Sequence, residues 1–118
     1  MNILMLSKQY KLKSNSEIAG VFKNGKTVKS SFLFLRYAAG GPEATRVAFS
    51  VGLNYSKKAV DRNRAKRVLR SSYAEFVDKV KSGFDLVFYF DKNFKDPVSQ
   101  KDLLEPMNSC LIQAKILK

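Results

Sequence analysis

Arg62-Asn63-Arg64, followed by Lys66, Arg67 and Arg70 and preceded by Lys57-Lys58, is a stretch whose residue types and spacing could do chemistry. That chemistry is recognition of a polyanion. The planar fork of arginine makes paired hydrogen bonds to phosphate oxygens, and a rigid helix holds several forks in register. Asn63 adds a donor and an acceptor able to read a sugar hydroxyl or a base edge. At about 100° per helical residue, Asn63, Arg64, Arg67 and Arg70 leave on the side away from Leu69 and Phe76. Arg62 falls on the apolar side. There it either reaches past a sheet at the N-terminal end of the helix or makes a structural pairing. Neutralising several phosphates of a duplex would give a log–log salt slope of about −0.9 per phosphate.

The charge is concentrated around this stretch. The 118 residues hold 22 Lys plus Arg against 10 Asp plus Glu, a formal net charge of +12. Residues 57–70 carry seven basic and one acidic residue, while residues 71–118 carry seven of each. All of the excess therefore lies in the first 70 residues, and half of it in 14 of them. A solvated helical face is the bland meaning of a charge run. Six net like charges in about four turns repel one another, however, unless something anionic binds them.

Other chemistries are excluded by composition. Without histidine there is no Ser-His-Asp or Cys-His apparatus and no His-ligated zinc, and one cysteine, Cys110, makes neither an intramolecular disulfide nor a thiolate cluster. A lone thiol suits the cytoplasm. Asp85, Asp91 and Asp96 could in principle cluster around magnesium in a protein-only nuclease, but no paired-acid motif accompanies them and they read as loop charges. The opening Met1–Leu6 has four strongly apolar residues and no preceding cation, so it reads as part of a soluble protein and not as a signal peptide. No window has the roughly 18 apolar residues of a membrane span, and no membrane partner is expected. With 45% apolar residues, nine Phe and five Tyr, one domain over 1–118 is expected, with 1–11 flexible.

The elements that must position the cations follow from periodicity. Capping side chains in 13–17, then Ile18, Val21 and Phe22 at helical spacing, predict a first helix of about ten residues, with Asn24-Gly25 as a left-handed stop. Phe32–Ala39 and Thr45–Val51 are rich in strand formers around Gly40-Gly-Pro42, and two antiparallel strands are the simplest account. A short extra strand is possible near 26–29. Ala65, Val68, Leu69, Ser72, Tyr73, Phe76 and Val80 predict one long amphipathic helix from Ser56 to near Ser82-Gly83. Asp85–Phe90 reads as a strand buried on both faces, pairing parallel with the strand before the helix. A last helix runs through Leu103, Leu104, Met107 and Leu111, starting at or kinked by Pro106. The coarse order is α, two or three β, α, β, α, an α/β chain.

Ala59–Arg70 resembles the helix bearing the Arg-Asn-Arg signature of the bacterial ribonuclease P protein subunit. The similarity extends in order through Leu12-Lys-Ser-Asn15, Val21-Phe22-Lys23, Gly25-Lys26, Phe32–Leu35, Arg46-Val47 and Ser50-Val51, and more loosely through Asp85–Tyr89. It implies an α+β two-layer sandwich of αβββαβα order with a left-handed βαβ crossover, of the kind seen in a ribosomal protein domain. It also implies a non-catalytic protein cofactor for a large catalytic RNA, which removes the 5′ leader of precursor tRNA in the cytoplasm. The RNA moves the bonds, using magnesium, and no further protein partner is required. Carried over by position, Lys57, Lys58, Arg62, Asn63, Arg64, Lys66, Arg67 and Arg70 contact the catalytic RNA. The leader cleft, between the first helix and the sheet, falls on Ile18, Phe22, Phe34 and Arg36.

This chain departs from the family pattern in three places: Ile18 replaces a Phe, Arg36 replaces a Tyr, and Gly52-Leu-Asn-Tyr-Ser56 replaces Ser-x-Lys-Lys-x-Gly with one extra residue. Because strand residues alternate, only Phe32, Phe34 and Arg36 or Leu33, Leu35 and Tyr37 can line the cleft. The first set is favoured, since a buried Arg is costly and a phosphate-facing one is not. A structural RNA-binding protein such as a ribosomal component is the competing reading, because such proteins share small size, high charge and related folds.

Overall fold

The computed structural model describes residues 15–41 and 44–118. The expected flexible segment 1–11, the capping residues 13 and 14 and the Leu12–Ser14 part of the resemblance lie outside these. The elements are α1 (Asn15–Asn24), β1 (Lys26–Ser30), β2 (Leu33–Ala39), β3 (Arg46–Ser50), α2 (Ala59–Ala74), a 3-10 turn (Val77–Lys79), β4 (Phe84–Phe90) and α3 (Gln100–Gln113). This is the expected αβββαβα order in a mixed α+β fold. No helix among the described residues is long and apolar enough to cross a membrane.

The sheet order is β1-β2-β4-β3. The expected hairpin of Phe32–Ala39 with Thr45–Val51 does not form. β2 pairs antiparallel with β1 and with β4, and β3 pairs parallel with β4. The physical reason lies in β4, whose Leu86, Val87 and Phe88 are fully buried on alternating faces. A strand apolar on both sides belongs at the centre of a sheet, which leaves β3 as an edge.

Two helices, α2 and α3, cover one face of the sheet, where Leu33, Leu35, Val47, Leu86 and Phe88 meet Leu69, Tyr73, Leu103, Met107 and Leu111 in the main core. On the other face α1 lays Val21 on Val87, flanked by Ile18, Ala38, Ala48 and Tyr89. The end of α1 differs from the sequence expectation. Gly25 has no left-handed φ. A Cβ there would instead collide with the carbonyl oxygens of Val21 and Tyr37, so glycine is needed for close approach of helix and strand.

The second helix ends at Ala74, eight residues before Ser82. Its apolar period continues because the hydrogen bonding tightens into a 3-10 turn. Phe76 N–H bonds to Tyr73 O and Lys79 N–H to Phe76 O, i to i−3 contacts that keep Phe76 and Val80 buried. Gly83, at φ +92, then turns the chain into β4. The last helix starts at Gln100 and not at Pro106. Ser99 and Asp102 form a capping box, and the backbone and hydroxyl hydrogen bonds from Ser99 hold the Asp102 carboxyl below its ordinary range. That start carries the helix through Pro106 and its missing N–H.

Cys110 is buried, and its thiol donates to the carbonyl of Leu33 at 3.6 Å. Burial pushes its pKa up to about 11 from an ordinary 9.0. The folded state thus holds the proton more tightly than the unfolded state. The associated stability is complete below pH 9 and is lost as pH rises toward 11. The thiol should therefore resist a thiol reagent at pH 8 until the chain unfolds, and prompt modification of native protein would refute the buried placement.

Candidate nucleic-acid interface

The first turn of α2 is built against ordinary helix electrostatics. Lys58 occupies the N-cap without a side-chain cap bond, Lys57 precedes it, and no basic residue lies in the last turn. A helix N-terminus carries about +0.5 elementary charge, which disfavours these cations. Asp61 offsets part of this, accepting from the Ser56 hydroxyl at 3.0 Å, while the Ser56 Oγ accepts from the Lys58 N–H at 3.1 Å. Downstream, Asn63, Arg64 and Arg67 are exposed, whereas Arg62, Lys66 and Arg70 are half-buried. None of the ion pairs among the described residues involves a cation of α2. Arg62 donates to the Ser56 carbonyl at 2.9 Å, so it braces the loop that leads into the helix.

The second site lies on the sheet face under α1. The register puts Phe34 opposite Tyr89, Arg36 opposite Val87, and Lys29 opposite Phe34. Phe34 and Tyr89 stack with centroids 5.2 Å apart and 23° between planes, and Phe22 of α1 approaches Tyr89 at 5.5 Å. Lys29 Nζ stands 5.3 Å from the Phe34 ring centroid. Phe22 is 39% exposed, unlike a core aromatic, and Ile18 is half-buried against the Val21–Val87 cluster. Phe32, expected with Phe34, stacks instead on Phe94 at 4.1 Å.

Arg36 shares this face, but its guanidinium is occupied. Nη1 donates to Thr27 Oγ1 at 2.7 Å, Nη2 donates to the Phe22 carbonyl at the end of α1, and Nε is buried without a partner among the described residues. A cation on the C-terminal carbonyls of a helix is favoured by the dipole. Arg36 thus fastens α1 to the sheet.

A second fastening was not legible beforehand. Arg46 forks onto Asp85, with Nε to Oδ1 at 3.1 Å and Nη2 to Oδ2 at 3.0 Å, and Nη1 also donates to Glu17 of α1. The Asp85 hydrogen bond is the largest cause raising the Arg46 pKa, against desolvation, and Glu17 adds to it. The helix over this face is therefore pinned near both ends. Tyr89, not singled out from the sequence, joins this face through the β2–β4 register.

A family model described as Ribonuclease P matches residues 6–115. The chain belongs to that family. Among curated relatives, the Ribonuclease P protein component of Caldanaerobacter subterraneus subsp. tengcongensis is 37% identical over 84 residues, covering 71% of this chain and 72% of that protein. That of Clostridium botulinum is 35% identical over 95 residues, covering 75% and 85%. The fold matches the RNase P protein of Staphylococcus aureus with a TM-score of 0.79 at 20% identity, over 94% of this chain and 100% of that one. The RNase P protein of Thermotoga maritima matches at 0.76 and 22% identity, over 87% and 96%. The ribonuclease P protein is a component of an endoribonuclease holoenzyme in bacterial tRNA 5′ processing, in which it has an RNA partner. The matches support this reading and not a ribosomal component.

Proposed function

We propose that this protein leaves bond cleavage to the RNA of the holoenzyme and contributes two binding surfaces in the cytoplasm. The cationic face of α2 docks on the catalytic RNA. The aromatic cleft between α1 and the sheet takes the single-stranded 5′ leader of precursor tRNA. The observation that carries this reading is the disposition of cations on α2. Lys57, Lys58, Arg64 and Arg67 are exposed and stand outside the described ion pairs, and Lys57 and Lys58 sit at the end of the helix whose dipole repels them. RNA phosphates relieve that repulsion and accept the arginine forks. The cleft supplies ring faces beside Lys29, the combination that holds unpaired nucleotides without demanding a sequence.

Side-chain chemistry agrees with a cofactor role. The shifted groups move away from neutrality, Cys110 and Tyr73 upward by burial and Asp102 downward by its cap bonds, so none of them becomes a proton-transfer group at neutral pH. Two of the three aspartates raised as magnesium ligands are already engaged. Asp85 is forked by Arg46, and Asp91 lies 3.9 Å from Lys29 Nζ and accepts from the Asn93 N–H. Among the described residues no three acidic or cysteine side chains are grouped to hold a metal. In this reading magnesium is held by the RNA.

Reconstitution tests the proposal: the protein should raise precursor-tRNA cleavage by the catalytic RNA at low magnesium, and an unchanged rate would sink it. Within that assay, Phe22→Ala should weaken precursor binding by about tenfold, the size of one lost base stack, while binding of mature tRNA stays put. Equal effects on both RNAs would reduce Phe22 to a packing residue.

A further inference from the structure

We propose that Ser56 and Asp61 are positioning residues for the RNA-docking face of α2. Together they close the first turn of a helix whose N-cap is a lysine, and so fix the spacing of the cations that meet RNA. The inference rests on the reading of α2 just given and adds what holds that face in shape.

The need for such a device is local. An N-cap side chain normally accepts a hydrogen bond from an N–H of the first turn, and a lysine ammonium has no acceptor. Lys58 accordingly makes no side-chain cap bond. Lys57, Arg62 and Arg64 crowd the same end of the helix, where mutual repulsion and the dipole both favour fraying. The cap comes from outside the helix. Asp61, in the first turn, accepts from the Ser56 hydroxyl at 3.0 Å, and Ser56 Oγ accepts from the Lys58 N–H at 3.1 Å. In a capping box the carboxylate reaches the N-cap N–H directly, as Asp102 does with Ser99 in α3. In α2 a hydroxyl two residues upstream of the N-cap relays the contact. The one hydroxyl gives its proton to the carboxylate and a lone pair to the N–H, so both halves of the cap need Ser56.

Ser56 is in turn held in place by its neighbours. Arg62 Nη1 donates to its carbonyl at 2.9 Å. The two residues before it are tied to the loop after β4, by Lys95 Nζ donating to Asn54 O at 2.6 Å and by the Tyr55 hydroxyl donating to Asp96 O at 2.9 Å. The Tyr55 ring packs on Phe90 of β4 at 5.3 Å. Through Ser56 the first turn of α2 is thus anchored to the end of a central strand. The anchor lies in Gly52–Ser56, the segment where the chain departs from the Ser-x-Lys-Lys-x-Gly pattern.

Asp61 separates a positioning role from a contact by sign. It is an exposed carboxylate beside Arg62-Asn63-Arg64, and on charge alone its removal would tighten the hold on a polyanion. A positioning role predicts the reverse. When only a fraction of the molecules holds the first turn ready, apparent affinity falls by that fraction. The phosphates met in the complex, and hence the salt slope, stay the same.

The test is binding of the full-length protein to the catalytic RNA across salt concentrations, with melting temperatures taken on the same samples. Ser56→Ala and Asp61→Ala should each weaken binding by about fivefold, the size of one lost capping contact, at every salt concentration and without flattening the log–log slope. The double variant should be little worse than either single one, because the two side chains act as a unit. Ser56→Thr, which keeps the hydroxyl, should restore affinity. Tighter binding by Asp61→Ala, or unchanged affinity of Ser56→Ala whatever its melting temperature, overturns the inference while the docking of α2 stands. Arg64→Ala tells the two readings apart, since an undiminished slope in that variant removes α2 docking itself and the positioning role with it.

Discussion

Replacing Arg64 and Arg67 together by alanine is expected to weaken binding of the catalytic RNA by roughly 10²–10³-fold at low salt. Each exposed fork gives up a charge-assisted contact of about 1.5–3 kcal/mol, and every 1.4 kcal/mol is tenfold. The two lie three residues apart on one face of α2, so the combined loss should fall short of the sum. The salt dependence is the sharper readout. Each arginine should lower the magnitude of the log–log slope by about one unit, and the pair by nearly two. Folding stability should change by less than about 0.5 kcal/mol, because neither side chain is in the core and two mutually repelling charges are removed. A titration across salt concentrations decides the matter: an undiminished slope would take both residues off the interface.

Leu69→Ala should have the opposite profile. Leu69 is fully buried where α2 meets the sheet, and deleting its isobutyl group should cost about 2–5 kcal/mol, more where the cavity stays open. For a domain of this size the midpoint of thermal unfolding should drop by about 10 °C. The side chains proposed to contact RNA are untouched, so RNA in excess should restore much of the loss, about 2.7 kcal/mol at a hundredfold excess over Kd. Added RNA should stabilise the Arg64/Arg67 double variant far less at the same concentration. Melts of each variant with and without RNA separate the two classes, and equal RNA-induced shifts would contradict the assignment of face and core on α2.

Both predictions use the part of the molecule most legible in the sequence, the two faces of α2. The outward face of α2 could be read from residue spacing, because a helix imposes 3.6 residues per turn whatever surrounds it, and Asn63, Arg64 and Arg67 are exposed as that spacing requires. The two faces of β2 were separable for the same reason, and Phe34 and Arg36 do lie on the α1 side. What local pattern could not supply was the choice of strand partner. Phe34 meets Tyr89 only because β4 inserts between β2 and β3, a contest decided by how much apolar surface each strand buries. Arg46 entered the sequence reading only as part of the Arg46-Val47 similarity, with no partner assigned. Its fork on Asp85 joins residues 39 apart in sequence, beyond the reach of any periodicity. Arg36 illustrates a further limit, since side-chain alternation chose its face, but the nearness of the end of α1 determined what it donates to. The early end of α2 escaped notice because a 3-10 turn preserves an apolar rhythm while changing the hydrogen bonds beneath it.

The parallel pairing of β3 with β4 across α2 orders events during synthesis. A 16-residue helix dense in like charges is marginal by itself, and most of its stability comes from docking an apolar stripe. That stripe needs β4, which leaves the ribosome after α2, and α3, which leaves later still. The nascent chain therefore exposes all its excess charge before it has a rigid surface on which to display it. RNA met at that stage finds only a flexible polycation with no defined spacing of forks. A fixed spacing of cations is thus acquired late, when α3 closes over the sheet.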